Sequence, residues 1–177
     1  MKHVRRQSII LFLLVLMFAA PGVAAYFFYF HPHWLSANTT NKGEFIRPPF
    51  QLVGLKKQAK WQLIFWSPAD CDNVCMKQVD KLARIRLALG RRLYDVEVFL
   101  LMGHQAATLS EEQIAILREQ AIQIMTLSAQ ESEQLSAVYD KSGVFIANPD
   151  QYLVLRFPIK APSDAIFHDI KLLLTKG

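Results

Sequence analysis

Hydrophobic and polar positions divide this chain into three stretches. From Ser8 to Phe30 the residues are apolar or small, and none is charged. From His31 to Gly54 the pattern has no period and is rich in Pro, Asn, Thr and Gly, the marks of a connecting segment. From Leu55 onward, short apolar runs alternate with helical spacing. Trp61 to Trp66, "WQLIFW", predicts a buried strand: short, aromatic and β-branched. Asp70 to Leu89 predicts a helix, because Cys75, Val79, Leu82, Ile85 and Leu89 recur at steps of three and four and make one apolar stripe. Gly90 stands where a helix C-cap belongs. Val96 to Met102 is a second strand. Ser110 opens a helix with "SEEQ", in which Gln113 reaches back as the partner in a capping box. Ser128 to Val138 predicts a further short helix. Gly143 to Ala147 and Tyr152 to Phe157 are strands joined by "NPDQ", a turn that suits antiparallel neighbours. Ser163 caps a last helix carrying Ile166, Ile170, Leu173 and Leu174.

The order is β-α-β-α-α-β-β-α. The first two strands need a crossover and are expected to be parallel, and the last two form a hairpin. This predicts an α/β protein: a thioredoxin-like domain with a mixed four-stranded sheet, preceded by one N-terminal transmembrane helix. The expected boundaries are a cytoplasmic tip over 1–7, an anchor over 8–30, a tether over 31–54 and the thioredoxin-like domain over 55–177.

The uncharged run Ser8–Phe30 is long enough to cross a hydrocarbon layer of roughly 30 Å as a helix. Lys2, Arg5 and Arg6 precede it. Positive charge stays on the cytoplasmic side, which places the rest of the chain outside. Gly22 to Ala25 offers small residues of the kind a signal peptidase cuts. Tyr26 to Phe30, however, extends the run with aromatic residues that suit a membrane interface, so an uncleaved anchor is favoured. Pro21 and Gly22 kink such a helix without ending it. The formal net charge of +5 includes those three N-terminal cations. No stretch interleaves Lys/Arg with exposed aromatics, so nucleic acid is not expected as a partner. Asn38-Thr39-Thr40 matches a glycosylation acceptor, which matters only in a eukaryotic secretory route.

The chain has two cysteines, Cys71 and Cys75, in "WSPADCDNVCMKQ". They follow the first strand and open the first helix, at the sheet end where α/β proteins gather chemistry. Spacing by one helical turn brings both sulfurs to one face. A redox pair in an oxidising compartment, a two-thiolate clamp for Cu(I) and two plain core residues all fit that placement. A helix N-terminus lowers a thiol pKa. Asp70 and Asp72 oppose that effect, and either suits a helix cap.

"FWSPADCDNVCMKQVDKLARIRLAL", with the single anchor and the hairpin "FIANPDQYLVLRF", resembles the SCO/SenC family, membrane-anchored thioredoxin-fold proteins that help assemble the copper site of cytochrome c oxidase. The chain is also similar to small transmembrane proteins associated with bacterial cytochrome oxidase gene clusters. The resemblance covers about Leu55 to Lys176. It implies a single-pass protein of the bacterial inner membrane with its C-terminal domain in the periplasm, a redox dithiol at Cys71 and Cys75, Cu(I) as a possible cargo, and a respiratory oxidase subunit or its assembly factors as partner. The chain departs from the family at three places. Met76 stands where Pro usually follows the second cysteine. Asp140 falls near the place of the third copper ligand, a His. Gly143 lies close to where thioredoxins carry a cis-proline.

Of the five histidines, His3 lies in the cytoplasmic tip, His31 and His33 flank Pro32 at the expected membrane surface, and His168 is expected on the surface of the last helix. His104 follows the second strand and so shares a sheet end with the cysteines. It is the candidate third metal donor. Two function classes follow: an assembly factor that works through the Cys71/Cys75 dithiol by thiol redox or weak Cu(I) handling, and a non-catalytic scaffold of degenerate thioredoxin fold. A general thiol oxidoreductase is disfavoured without C-x-x-C and cis-Pro.

Overall fold

The structure, a computed structural model, describes residues 2–30, 41–54 and 59–176. The expected roles of His31, His33 and Asn38 lie outside the described residues. Two compact units are present, Met1–Thr40 and Asn41–Gly177. In the first, helix α1 runs from Lys2 to Phe30 over 29 residues, with Pro21 inside it. Its described side chains, among them Phe12, Leu16, Phe18 and Tyr29, are exposed. Among the described residues no helix is long and apolar enough to cross a membrane, so the expected span is not found there. Within the run Ser8–Phe30, the side chains of Ser8, Ile9, Leu11 and Phe28 lie outside the described ones.

The second unit holds one sheet in the order β1-β6-β5-β2-β3-β4. Its strands are β1 (Glu44–Gln51), β2 (Trp61–Ser67), β3 (Val96–Met102), β4 (Ile122–Thr126), β5 (Gly143–Ala147) and β6 (Tyr152–Pro158). The helices are α2 (Asn73–Ala88), α3 (Glu111–Glu119), α4 (Ala129–Val138) and α5 (Ser163–Lys176), with a 3-10 turn over Gly90–Asp95. The parallel pair β2/β3 and the antiparallel hairpin β5/β6 are as the pattern predicts. The hairpin turn closes with Gln151 N–H donating to the Asn148 carbonyl and Tyr152 N–H to Asn148 Oδ1. Gly90 takes φ +60° just past α2, the left-handed stop that a helix C-terminus favours.

The sheet has six strands, not four. The two additional strands are its edges. β1 falls inside the expected tether, and Pro48 and Pro49 within it disguise a strand, since Pro is tolerated only at an edge or a bulge. The β1/β6 register indeed shifts between Phe45 and Phe50. β4 is five residues long and sits between two helices, too short for its period to stand out.

Strand alternation splits the core in two. On one face Leu63 and Phe65 of β2 pack with Val98 and Leu100 of β3 under α2 and α5, whose Val79, Leu82, Ile166 and Ile170 are fully buried. On the other face Ile64 and Trp66 pack with Phe99, Leu101 and Phe145 under Leu135 of α4. Burying a side chain of Leu135's size contributes roughly 1.5–3 kcal/mol, and it is the only buried residue of α4.

One polar staple fixes where the folded unit begins. Asp169 of α5 is 1% exposed. Its carboxylate accepts the backbone N–H groups of Lys42 (2.7 Å) and Gly43 (2.8 Å), and His168 Nδ1 lies 2.9 Å away. His168 is thus the partly exposed side of that staple. Replacing Asp169 by Ala strands the buried Gly43 N–H and the part-buried Lys42 N–H; an unsatisfied buried donor costs about 1–3 kcal/mol. Urea titration of Asp169→Ala should show a loss of about 2–4 kcal/mol; wild-type stability would mean that water takes over both donors.

Candidate functional site

β2 ends at Ser67, and the chain then turns through "PADC" before α2 begins. The helix starts at Asn73, three residues after the expected start at Asp70, because Asp72 is the cap. Asp72 Oδ1 accepts Val74 N–H (3.0 Å) and Cys75 N–H (2.8 Å). Two of the four donors left over at the start of a helix are thereby satisfied. Cys71 precedes the cap and Cys75 lies in the first turn.

Cys71 and Cys75 form a disulfide, with Cα atoms 5.1 Å apart. Both belong to the core face under α2 and α5, at 7% and 4% exposure. Ala106, Leu109, Ile159 and Met76 pack against the same cluster. Both cysteines are therefore buried in the core and not presented on an open loop.

Neighbouring loops clamp this segment from one side. Gly103 N–H donates to Ser67 O (2.9 Å) and Ala107 N–H to Asp70 Oδ1 (2.6 Å). Gln113 closes the capping box of α3, accepting Ser110 N–H at Oε1 (2.9 Å), and its Nε2 donates to the Cys71 carbonyl (3.1 Å). Asp70 therefore caps no helix; it holds the loop after β3. The capping box was legible in the sequence, but the second bond of Gln113 depends on a tertiary neighbour 42 residues away. Gly103 has no local sign at all: a Cβ there would overlap the Pro68 carbonyl.

His104 occupies the same sheet end but another neighbourhood. Its backbone N–H donates to Ser132 Oγ (3.1 Å). It lines a cleft of about 210 Å³ with Pro68, Gln105, Ala129, Ser132 and Ser136, on the side of α4, while the sulfurs lie on the side of α2 and α5. Among the described residues no group of three or more His, Cys, Asp or Glu is placed to hold a metal. The two sulfurs and His104 thus do not converge as a three-donor set. Asp140 is exposed just before β5. Its neighbour Tyr139 accepts Trp66 Nε1–H at its carbonyl (3.1 Å), and its ring lies 4.8 Å from the Arg156 guanidinium. Burial raises the Tyr139 phenol above its ordinary pKa against the opposing pull of Arg156, so it is a protonated donor at neutral pH.

Away from the sulfurs, α2 and α5 enclose a groove of about 450 Å³ floored by Ile85, Ala88 and Phe167. Lys81 at its rim donates to Ala161 O (3.2 Å), and burial lowers its ammonium pKa.

A mixed sheet, a parallel β2-α2-β3 unit and a cysteine pair at the turn into α2 make up the geometry of this end of the molecule. The family model described as "transmembrane-like, thioredoxin-like, C-terminal domain" matches residues 61–176. The chain belongs to that family. No curated protein matches this thioredoxin-like chain. Among solved structures it is similar to copper-bound ScoI of Arabidopsis thaliana, at 12% identity and a TM-score of 0.52, covering 68% of this chain and 88% of that one. It is also similar to BsSco, described as a member of the Sco family of cytochrome c oxidase assembly proteins, at 15% identity and a TM-score of 0.50, covering 78% of this chain and 98% of that one. At these identities the likeness is one of fold. The resemblance to SCO/SenC proteins holds at that level.

The contact between Gly103 and Pro68 gives a direct test of the clamp. Gly103→Ala forces two backbones apart and should cost about 1–3 kcal/mol, as overpacking does. Chemical denaturation measures it; an unchanged midpoint would show that the two loops part freely.

Proposed function

We propose that this protein is a membrane-anchored thiol–disulfide exchange factor of the respiratory oxidase assembly type, with Cys71 and Cys75 as its working pair. The observation that carries the reading is the Cys71–Cys75 disulfide at the carboxyl end of β2. When the pair is reduced, the Cys71 thiolate attacks a partner's disulfide, because Cys71 precedes α2 in the turn while Cys75 is held within its first turn. A mixed disulfide forms and one partner sulfur leaves as thiolate. Cys75 then attacks Cys71, closing the disulfide and releasing the second partner sulfur. Two electrons and two protons pass to the partner in each cycle. An assembly partner of the oxidase is supported by the fold shared with BsSco, itself described as a Sco-family oxidase assembly protein.

Cu(I) enters as cargo of the same pair. The donor set fits a two-sulfur site, since thiolates are soft ligands suited to Cu(I). It does not fit a site that needs a histidine from the loop after β3, because His104 lies with α4. Only the reduced pair offers thiolates, so copper and the disulfide exclude one another. Oxygen from Asp140 is a hard donor and a poor substitute.

Membrane attachment is supported by three observations: the uncharged sequence Ser8–Phe30 behind Lys2, Arg5 and Arg6, its helical backbone and the "transmembrane-like" description of the family. With basic residues at the cytoplasmic side, the thioredoxin-like unit faces the periplasm of a bacterial inner membrane, where disulfides persist.

Three outcomes are expected. Alkylation followed by mass measurement should find no free thiol before reduction and two after, and mild oxidant should reverse the change; two permanently free thiols would favour a scaffold. In competition with a Cu(I) chelator, the reduced protein should bind one Cu(I) weakly. Cys71→Ala or Cys75→Ala should abolish that binding, while Asp140→Ala and His104→Ala leave it within about twofold, a difference below 1 kcal/mol. Loss of binding in His104→Ala would restore the third ligand. A reporter fused at Gly177 should be active only as an exported enzyme, and cytoplasmic activity would overturn the topology.

A further inference from the structure

The two cysteines are held by different means. Cys75 lies in the first turn of α2, and its N–H donates to the Asp72 cap (2.8 Å). Cys71 stands before that cap. The helical ladder begins after it, with Met76 N–H donating to the Asp72 carbonyl (3.0 Å). What holds the Cys71 backbone comes from another element: its carbonyl accepts Gln113 Nε2–H (3.1 Å). The same side chain accepts Ser110 N–H at Oε1 (2.9 Å). That bond fixes which way the amide points, because an oxygen turned to an N–H leaves the –NH2 end to face a carbonyl. Gln113 is itself anchored, since it sits in the first turn of α3, whose Leu117 is buried in the core cluster that holds both cysteines.

We propose that Gln113 is a positioning residue of the Cys71/Cys75 pair: by holding the Cys71 carbonyl it keeps the turn before α2 ready to close when the thiols are reduced, and so favours the disulfide over the dithiol. The inference rests on the exchange reading above. A disulfide needs Cα atoms about 4.4–6.8 Å apart, and here they are 5.1 Å apart. In the dithiol no covalent bond keeps that spacing. The helix and Asp72 keep it from the side of Cys75, and Gln113 keeps it from the side of Cys71. A turn that is already ordered loses less conformational entropy when the bond forms. Without the Gln113 donor the dithiol gains conformations, while the disulfide still ties Cys71 to α2. The equilibrium therefore moves toward the dithiol.

Equilibration of the full chain in dithiothreitol redox buffers, read by alkylation and mass, tests this. Reduction breaks the Cys71–Cys75 bond, closes the cyclic disulfide of dithiothreitol, and passes two electrons and two protons to the protein. Gln113→Glu is the discriminating variant. Glutamate at the third helical position keeps the capping bond to Ser110 N–H but offers no N–H to the Cys71 carbonyl. Gln113→Leu loses both bonds and adds no charge. Each variant should lower the equilibrium constant for disulfide formation about three- to tenfold, as the loss of one hydrogen bond implies. Ser110→Ala weakens the cap of α3 but leaves the Gln113 amide in place, and should change the constant by less than about twofold. A merely structural Gln113 would lower stability equally in the oxidised and reduced protein and leave the constant where it was. A wild-type constant in Gln113→Glu, or an equal shift in Ser110→Ala, overturns the proposal while the exchange reading stands. A wild-type pair that the buffers cannot cycle overturns both.

Discussion

Burial of β2 on both faces is the constraint from which the rest of the folded unit follows. Gln62 to Ser67 are all buried. A strand so enclosed must find backbone partners on both sides, and β3 and β5 supply them in opposite senses. Each face then needs its own apolar cover: α2 and α5 on one, α4 and the segments around Leu52 and Leu127 on the other. Within β2 one polar side chain is left unsatisfied among the described residues. The amide of Gln62 is fully buried, and neither its Nε2 nor its Oε1 has a partner among the described residues. That costs stability, and the structure offers no compensating contact for it.

The same strand delivers the cysteines. Because β2 runs parallel to β3 and antiparallel to β5, its end, the end of β3 and the start of β5 come together. The segments around Cys71, His104 and Asp140 therefore meet at one end of the sheet. Meeting at one end is not convergence. The cysteines belong to the α2/α5 face of the core, while His104 lines a cleft with residues of α4, so groups at one sheet end do not form one donor set.

What could be read in the sequence follows from how local each signal is. The four central strands, Gly90 as the helix stop, the Ser110 capping box and the paired cysteines each announce themselves within a few residues. β1 and β4 do not. Pro48 and Pro49 contradict strand propensity unless one knows that the strand is an edge, and Ile122–Thr126 is five residues long. Asp169 gave no hint beyond being an acid on a helix, because its partners Lys42 and Gly43 are more than 120 residues away. The functional loop was legible as a place. Its burial and its clamps, Gly103 and Asp70, depend on tertiary contact.

Gln113 has a mechanical consequence. It ties the first turn of α3 to the Cys71 carbonyl, and the last turn of α3 leads through Ala121 directly into β4. The nine residues of α3 form a strut roughly 13 Å long at 1.5 Å per residue. One end bears on the disulfide segment and the other on the open margin of the sheet. Two places that share no side chain are thus the two ends of one stiff part.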